Sequence, residues 1–219
     1  MRESRQRYGV LLLALTITFF FYGIAQPGDL QRAIGTVLVG ATLLLALNAA
    51  EMKQPLLRPA VAVVAVAVVA VIIASAAGKG STSEAITAIA NGLLVALAPP
   101  AVALGVYRNL RATGAVTVTV VAGVLCLYML LGLFFAFVYV AIQNLGGAPF
   151  FANGASAVSP RAVYFSFITL TTVGYGDYTA RTNLGHTLSI TEALVGQIYL
   201  VTIVAAIVGR LVPRDQRAA

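Results

Sequence analysis

Thr171-Thr172-Val173-Gly174-Tyr175-Gly176-Asp177 is the stretch on which the organisation of this chain turns. Two glycines at alternate positions, following two threonines and a valine, do not continue a helix comfortably. Immediately before them, Ser159-Pro160 opens a short apolar run from Arg161 to Leu170. Ser is a favoured N-cap, and Pro a favoured first helical residue, because its missing N–H would be unpaired there anyway. A short helix that delivers an irregular, glycine-bearing segment is therefore expected here. Long apolar blocks lie on both sides of it, and they set the environment in which that segment must survive.

Of the 219 residues, 60% are apolar and only 10% are charged. Ordinary soluble domains carry about 25% charged residues. The apolar residues come in blocks long enough to cross a bilayer core as helices, with the backbone satisfied inside each segment. Six such blocks are read: Tyr8 to Ala25, Leu30 to Ala50, Leu57 to Ala77, Glu84 to Tyr107, Gly114 to Ile142, and Asn183 to Val212. Pro27-Gly28-Asp29, Gln54-Pro55 and Arg58-Pro59 punctuate the early blocks, and Ser81-Thr82-Ser83-Glu84 reads as a capping box for the fourth. The fold class is all-α, a polytopic membrane protein.

The net charge of +7 is spread in small groups between the blocks, which is the form of a topology signal and not of a nucleic-acid interface. Arg2, Arg5, Arg7, Lys53, Arg58, Arg108, Arg111, Arg210, Arg214 and Arg217 fall on the side of the termini. Arg32, Lys79, Arg161 and Arg181 fall on the other. Both termini are expected in the cytoplasm, with the chain in the cell membrane. The first block also has the form of a secretory signal ending at Gly23-Ile24-Ala25, and cleavage there would leave five spans. Cys126 is the single cysteine, so no intrachain disulfide forms. No metal-ligand cluster, catalytic nucleophile motif or phosphate loop appears, and neither an enzyme nor a cofactor is expected.

Within this setting the Arg161–Leu170 helix would rise about 16 Å, roughly half a bilayer core. It enters and stops. Irregular backbone at that depth is tolerated only where it is buried in protein or lines a water-filled path. The run Tyr164 to Asp177 closely resembles the pore helix and selectivity filter of the tetrameric potassium channel family. The likeness covers about a quarter of the chain, from the end of the fifth block through the sixth. It implies a re-entrant pore helix and filter loop between the fifth and sixth spans. Thr172, Val173, Gly174, Tyr175 and Gly176 would then be the ion-binding filter, with K⁺ held at Thr172, Val173, Gly174 and Tyr175. Glycine permits the inward-facing carbonyls, while Val173 and Tyr175 turn their side chains into surrounding protein. Asp177 would stand at the outer mouth and concentrate cations. One filter loop per chain implies a homotetramer, embedded in membrane lipids, passing K⁺ ions.

The same resemblance assigns the inner helix. Gly196 occupies the position of a hinge or of a close-packing glycine. Gln197, Leu200, Val204 and Val208 would face the cavity, with Val204 to Val208 as an apolar gate. Ile168 stands where many bacterial relatives carry a glutamate, and Tyr164 and Phe165 stand where tryptophans are frequent. Glu192, an ionisable residue inside the sixth block, is read either as a group coupling filter and inner helix or as a structural acceptor for Ser166 or Thr169. His186 is either interfacial or a sensor of external pH.

Residues 1–112 thus form a four-helix domain with the layout of a voltage sensor, and residues 113–219 a pore domain. The fourth block carries no basic residue between Glu84 and Tyr107. A sensor needs several charges inside the field, each worth about 2.3 kcal/mol per 100 mV, so strong voltage gating is not expected. Asn48 and Asn91 are the strongly polar side chains near the block interiors. Pro99-Pro100 is expected to interrupt the fourth helix locally. The residues after Val212 are too few for a nucleotide- or calcium-binding domain. The alternatives to a K⁺ channel are a transporter subunit, a weakly selective cation channel and a non-conducting membrane scaffold.

Overall fold

The computed structural model describes residues 2–52, 54–76, 81–113 and 116–211. Helices run along them in the order α1 (Arg2–Ile24), α2 (Asp29–Ala49), α3 (Gln54–Ala76), α4 (Ser81–Thr113), α5 (Val118–Leu145), α6 (Ser159–Leu170) and α7 (Asn183–Leu211). Among the described residues no strand forms, and one isolated bridge joins Phe151 to Ala180. Four stretches among them are long and apolar enough to cross a membrane: Gln6–Ile24, Asp29–Ala49, Ser83–Ala112 and Val118–Leu145. Arg58–Ala74 is a shorter apolar helix. The expected third and sixth spans fall on α3 and α7, whose ends adjoin residues outside the described ones. Lys53, Lys79, Arg214 and Arg217 also lie outside, as do the side chains of Arg2, Arg5 and Arg210.

Local chemistry accounts for several helix ends. The turn after α2 places Glu51 at φ 52°, with the Glu51 and Met52 amides donating to the carbonyls of Asn48 and Leu47. That is a Schellman-type stop with a non-glycine in its left-handed position. The Arg7 guanidinium donates to the Asn48 carbonyl and pairs with Glu51 at 3.8 Å, so α1 secures the end of α2. At the opposite end Arg32 pairs with Asp29, donates to Ser83 Oγ at 3.0 Å and lies 3.9 Å from Glu84. Ser83 and Glu84, from the stretch Ser81 to Glu84 read as a capping box, are thus engaged with Arg32 of α2. At the start of α5, Thr117 Oγ1 accepts from the Val120 amide.

The helix α4 differs from expectation in two ways. It extends past Tyr107 to Thr113, with Arg111 stacked 4.8 Å over the Tyr107 ring. Hydropathy marks where a helix leaves lipid, not where its hydrogen bonds end. Pro99 and Pro100 lie inside α4, which continues through both. Proline in an apolar bundle is tolerated where neighbouring helices hold the freed backbone, and here Ala98, Ala101 and Val102 are buried.

Of the first four helices, α1 and α4 rest on α5 and α6 of the same chain. Along α4 and α5 the shared face is extensive, and α1 packs on α2, α5 and α6. The Tyr22 ring lies 5.1 Å from Phe137 of α5, and the Phe19 ring 4.7 Å from Phe167 of α6. Between these faces Leu11, Leu15, Leu43, Leu94, Leu130 and Leu133 are fully buried. Large apolar side chains such as Leu13, Phe20, Val66 and Leu93 face outward instead. In water such a surface would be an association liability; in lipid it is the ordinary exterior.

Candidate functional site: the α6 helix and the loop that follows it

The helix α6 starts one residue earlier than expected. Val158 occupies the N-cap position without a side-chain bond, so Ser159 and Pro160 both fall inside the first turn. Proline costs nothing there, since first-turn amides have no intrahelical partner. The loop before it is organised by Gln143, whose Oε1 accepts from the amides of Phe150 and Ala157 at 2.8 and 2.9 Å. Rings from α5, the loop and α6 interlock beneath it: Tyr139 lies 5.1 Å from both Phe150 and Phe165, and Phe151 5.2 Å from Phe165.

Glycines on both neighbouring helices let α6 sit close. A Cβ at Gly132 of α5 would fall 2.6 Å from the Phe167 ring. One at Gly196 of α7 would overlap the Leu170 carbonyl oxygen. Gly196 is therefore a point of close approach between α7 and the end of α6. The same Leu170 carbonyl accepts from Tyr128 of α5 at 3.2 Å. Buried Glu192 of α7 accepts from the Tyr139 hydroxyl at 2.6 Å and meets the Ser166 hydroxyl. Of the hydroxyls nominated from sequence, Ser166 makes this bond. Tyr139 was not foreseen, because nothing in residue order says which part of α5 faces position 192.

Beyond Leu170 the chain folds back on its own helix, with the Gly174 amide donating to the Ile168 carbonyl at 3.1 Å. Thr172, Gly174 and Gly176 have φ values of 58°, 50° and 80°. Val173 and Tyr175 between them keep negative φ. Alternation between the two hands turns successive peptide units toward a common side, unlike a strand, in which they alternate. The two glycines occupy this region freely; Thr172, β-branched, does so at a cost. The residue types single out only the two glycines for such backbone. The signal that could have added Thr172 is the period of two, read backwards from Gly176.

Within one chain this segment is uncovered. Tyr175 is 73% exposed and Val173 53% exposed, so this chain supplies little packing behind the segment. At its outer end the Tyr164 hydroxyl donates to Asp177 Oδ2 at 2.9 Å, and Asn153 Nδ2 donates to the Asp177 carbonyl at 3.1 Å. Backbone bonds from Ala152 to Thr179 and from Arg181 to Phe150 fasten the descending chain to the loop before α6. His186 lies with Nε2 2.6 Å from the Ala180 carbonyl, part of the same lacing. On α7, Gln197 and Leu200 are exposed. The side chains of Val204 and Val208 lie outside what is described.

A family model described as an ion channel matches residues 123–212, from within α5 to the end of α7. A curated relative, a probable potassium channel protein of Methanocaldococcus jannaschii, is 49% identical over 47 residues. That match covers 20% of this chain and 14% of the relative, so the chain spans only a small part of its relative's length. No solved structure matches the chain. Residues 123–212 are thus similar in sequence to an ion-channel domain, in a chain whose described residues are helical and include four apolar helices of membrane-spanning length.

Proposed function

We propose that this chain is one of four identical subunits of a potassium-selective channel that conducts K⁺ passively across the cell membrane. The observation that carries the reading is the alternating backbone hand at Thr172, Gly174 and Gly176 in an uncovered loop at the end of a half-length helix. Four such loops about one axis would present rings of carbonyl oxygens at Thr172, Val173, Gly174 and Tyr175 in place of the water around K⁺. The Thr172 hydroxyl would add the innermost ring. Asp177, steadied by Tyr164, would gather cations at the outer mouth. The potassium in the name of the Methanocaldococcus relative supports this choice of ion.

The uncovered surfaces support the tetramer. Besides Tyr175 and Val173, α7 leaves Ile190, Leu194, Ile198 and Val201 exposed at helical spacing. Neighbouring subunits would cover these and supply the packing behind the filter that one chain lacks. Six crossings with α6 re-entrant, both termini cytoplasmic, and a gate at Val204 to Val208 complete the arrangement. Gating by voltage is not part of it, because α4 carries no basic residue before Arg108.

The purified chain, reconstituted in liposomes, should pass K⁺ far faster than Na⁺. Absence of K⁺ flux in any lipid and at any voltage would overturn the reading, as would equal Na⁺ flux.

A further inference from the structure

Three oxygen–oxygen contacts meet in the buried seam where α6 is held between α5 and α7. The Tyr139 hydroxyl lies 2.6 Å from Glu192 Oε2. The Ser166 hydroxyl oxygen closes on Glu192 Oε1 and also lies 2.7 Å from the carbonyl oxygen of Gly132. Oxygens approach this closely when a hydrogen lies between them. A tyrosine or serine hydroxyl brings one hydrogen each; a backbone carbonyl and an ionised carboxylate bring none. Two hydrogens cannot occupy three contacts.

We infer that Glu192 supplies the third hydrogen as a neutral carboxylic acid, and that in this form it is the positioning residue that fixes the pore helix between outer and inner helices. The donors then run in one sense. Glu192 donates from Oε1 to Ser166 Oγ, Ser166 donates to the Gly132 carbonyl, and Tyr139 donates to Glu192 Oε2. With the carboxyl ionised, Ser166 would have to release either Gly132 or Glu192. One of the two neighbours of α6 would lose its hold.

The surroundings favour the neutral form on physical grounds. Glu192, Ser166 and Tyr139 are all fully buried. Tyr139 is the titratable side chain in contact, and Tyr128, further along α5, is the other one facing this region. Among the described residues no Lys, Arg or His forms an ion pair with Glu192. A buried carboxylate without a cation is among the most unfavourable groups a protein can hold. The consequence for conduction, which rests on the channel reading above, follows from what α6 carries. Leu170 ends it against Gly196, and Ile168 holds the Gly174 amide, so a shift of α6 moves the loop.

Glu192→Gln reproduces the neutral acid in shape and polarity, with its amide N–H toward Ser166 and its oxygen toward Tyr139. Glu192→Ala removes both contacts. Infrared difference spectra of the full-length wild type against Glu192→Gln at neutral pH should show the carbonyl band of a protonated, buried carboxylic acid in the wild type alone. Carboxylate bands in its place would overturn the inference, whether or not the protein conducts. In liposomes Glu192→Gln should keep the wild-type preference for K⁺ over Na⁺, and Glu192→Ala should lose it. A Glu192→Gln protein as unselective as Glu192→Ala would count against the positioning role even with the infrared band present.

Discussion

Thr172 holds its backbone at φ 58°, a conformation that costs an L-residue about 1–2 kcal/mol and suits a β-branched side chain least. A residue kept there is usually held for what it does, and Thr172 is the one non-glycine in a period of three left-handed positions. Gly174, at φ 50°, occupies the same region without strain, and open space surrounds the position of its missing Cβ. Gly174→Ala therefore meets no clash within its own chain but acquires about 1 kcal/mol of backbone strain. We expect a folded protein whose K⁺ flux is lost or no longer distinguishes Na⁺, measured as paired ion effluxes from liposomes. Unchanged selective conduction would place the ion path elsewhere in the molecule.

At the scale of elements, α6 is the part whose position matters, and close backbone approach fixes it as much as hydrogen bonds do. At Gly196 the obstacle to a larger residue is the Leu170 carbonyl, a backbone atom that cannot swing aside. Gly196→Ala should lower stability by about 1–3 kcal/mol, read as a fall in melting temperature of the detergent-solubilised protein. A hinge role alone predicts altered opening kinetics with unchanged melting. In the first four helices the buried Asn91 donates from Nδ2 to the Tyr22 hydroxyl at 2.9 Å. Tyr22→Phe leaves that amide with no side-chain partner in a packed seam, and should cost about 1–3 kcal/mol in the same assay.

At the scale of the whole molecule, α1 and α4 pack on α5 and α6 of the same chain, and under the proposed channel function this bears on gating. The interior of the first four helices holds no run of basic residues. Opening that carried even one gating charge across the field would change by about 2.3 kcal/mol per 100 mV, close to fifty-fold in equilibrium constant. Single-channel recordings should instead show open probability changing by less than about twofold over such a range. A steep voltage dependence would require charges other than those of α4 to move. Native mass spectrometry should give an assembly of four 22.7 kDa chains, and a stable monomer would leave Tyr175 without the neighbours it needs.

Much of this was legible in residue order. Apolar block length gives the helices, because backbone groups in lipid have no other way to be satisfied. Ser159-Pro160 gives the start of α6 to within one residue, and Gly174 and Gly176 give two of the three left-handed positions, since both are local matters of capping and φ. Of the contacts between distant parts of the chain, Glu192 on Ser166 was legible as one of two options, and the rest were not. Tyr139 against Glu192, Tyr164 on Asp177 and Gly196 against Leu170 depend on how three helices are rotated about their axes. That rotation is set by the fit of many side chains at once, and no single residue announces it. The continuous passage of α4 through Pro99-Pro100 belongs with these, because neighbouring helices decide whether a proline breaks a helix. The sequence by itself determined that a glycine-bearing loop would follow a half-length helix in an apolar chain. Only the tertiary structure decided which of the candidates hold that helix in place, choosing Ser166 for Glu192 and close packing for Gly196, and added Tyr139 and Gly132 of α5 to them.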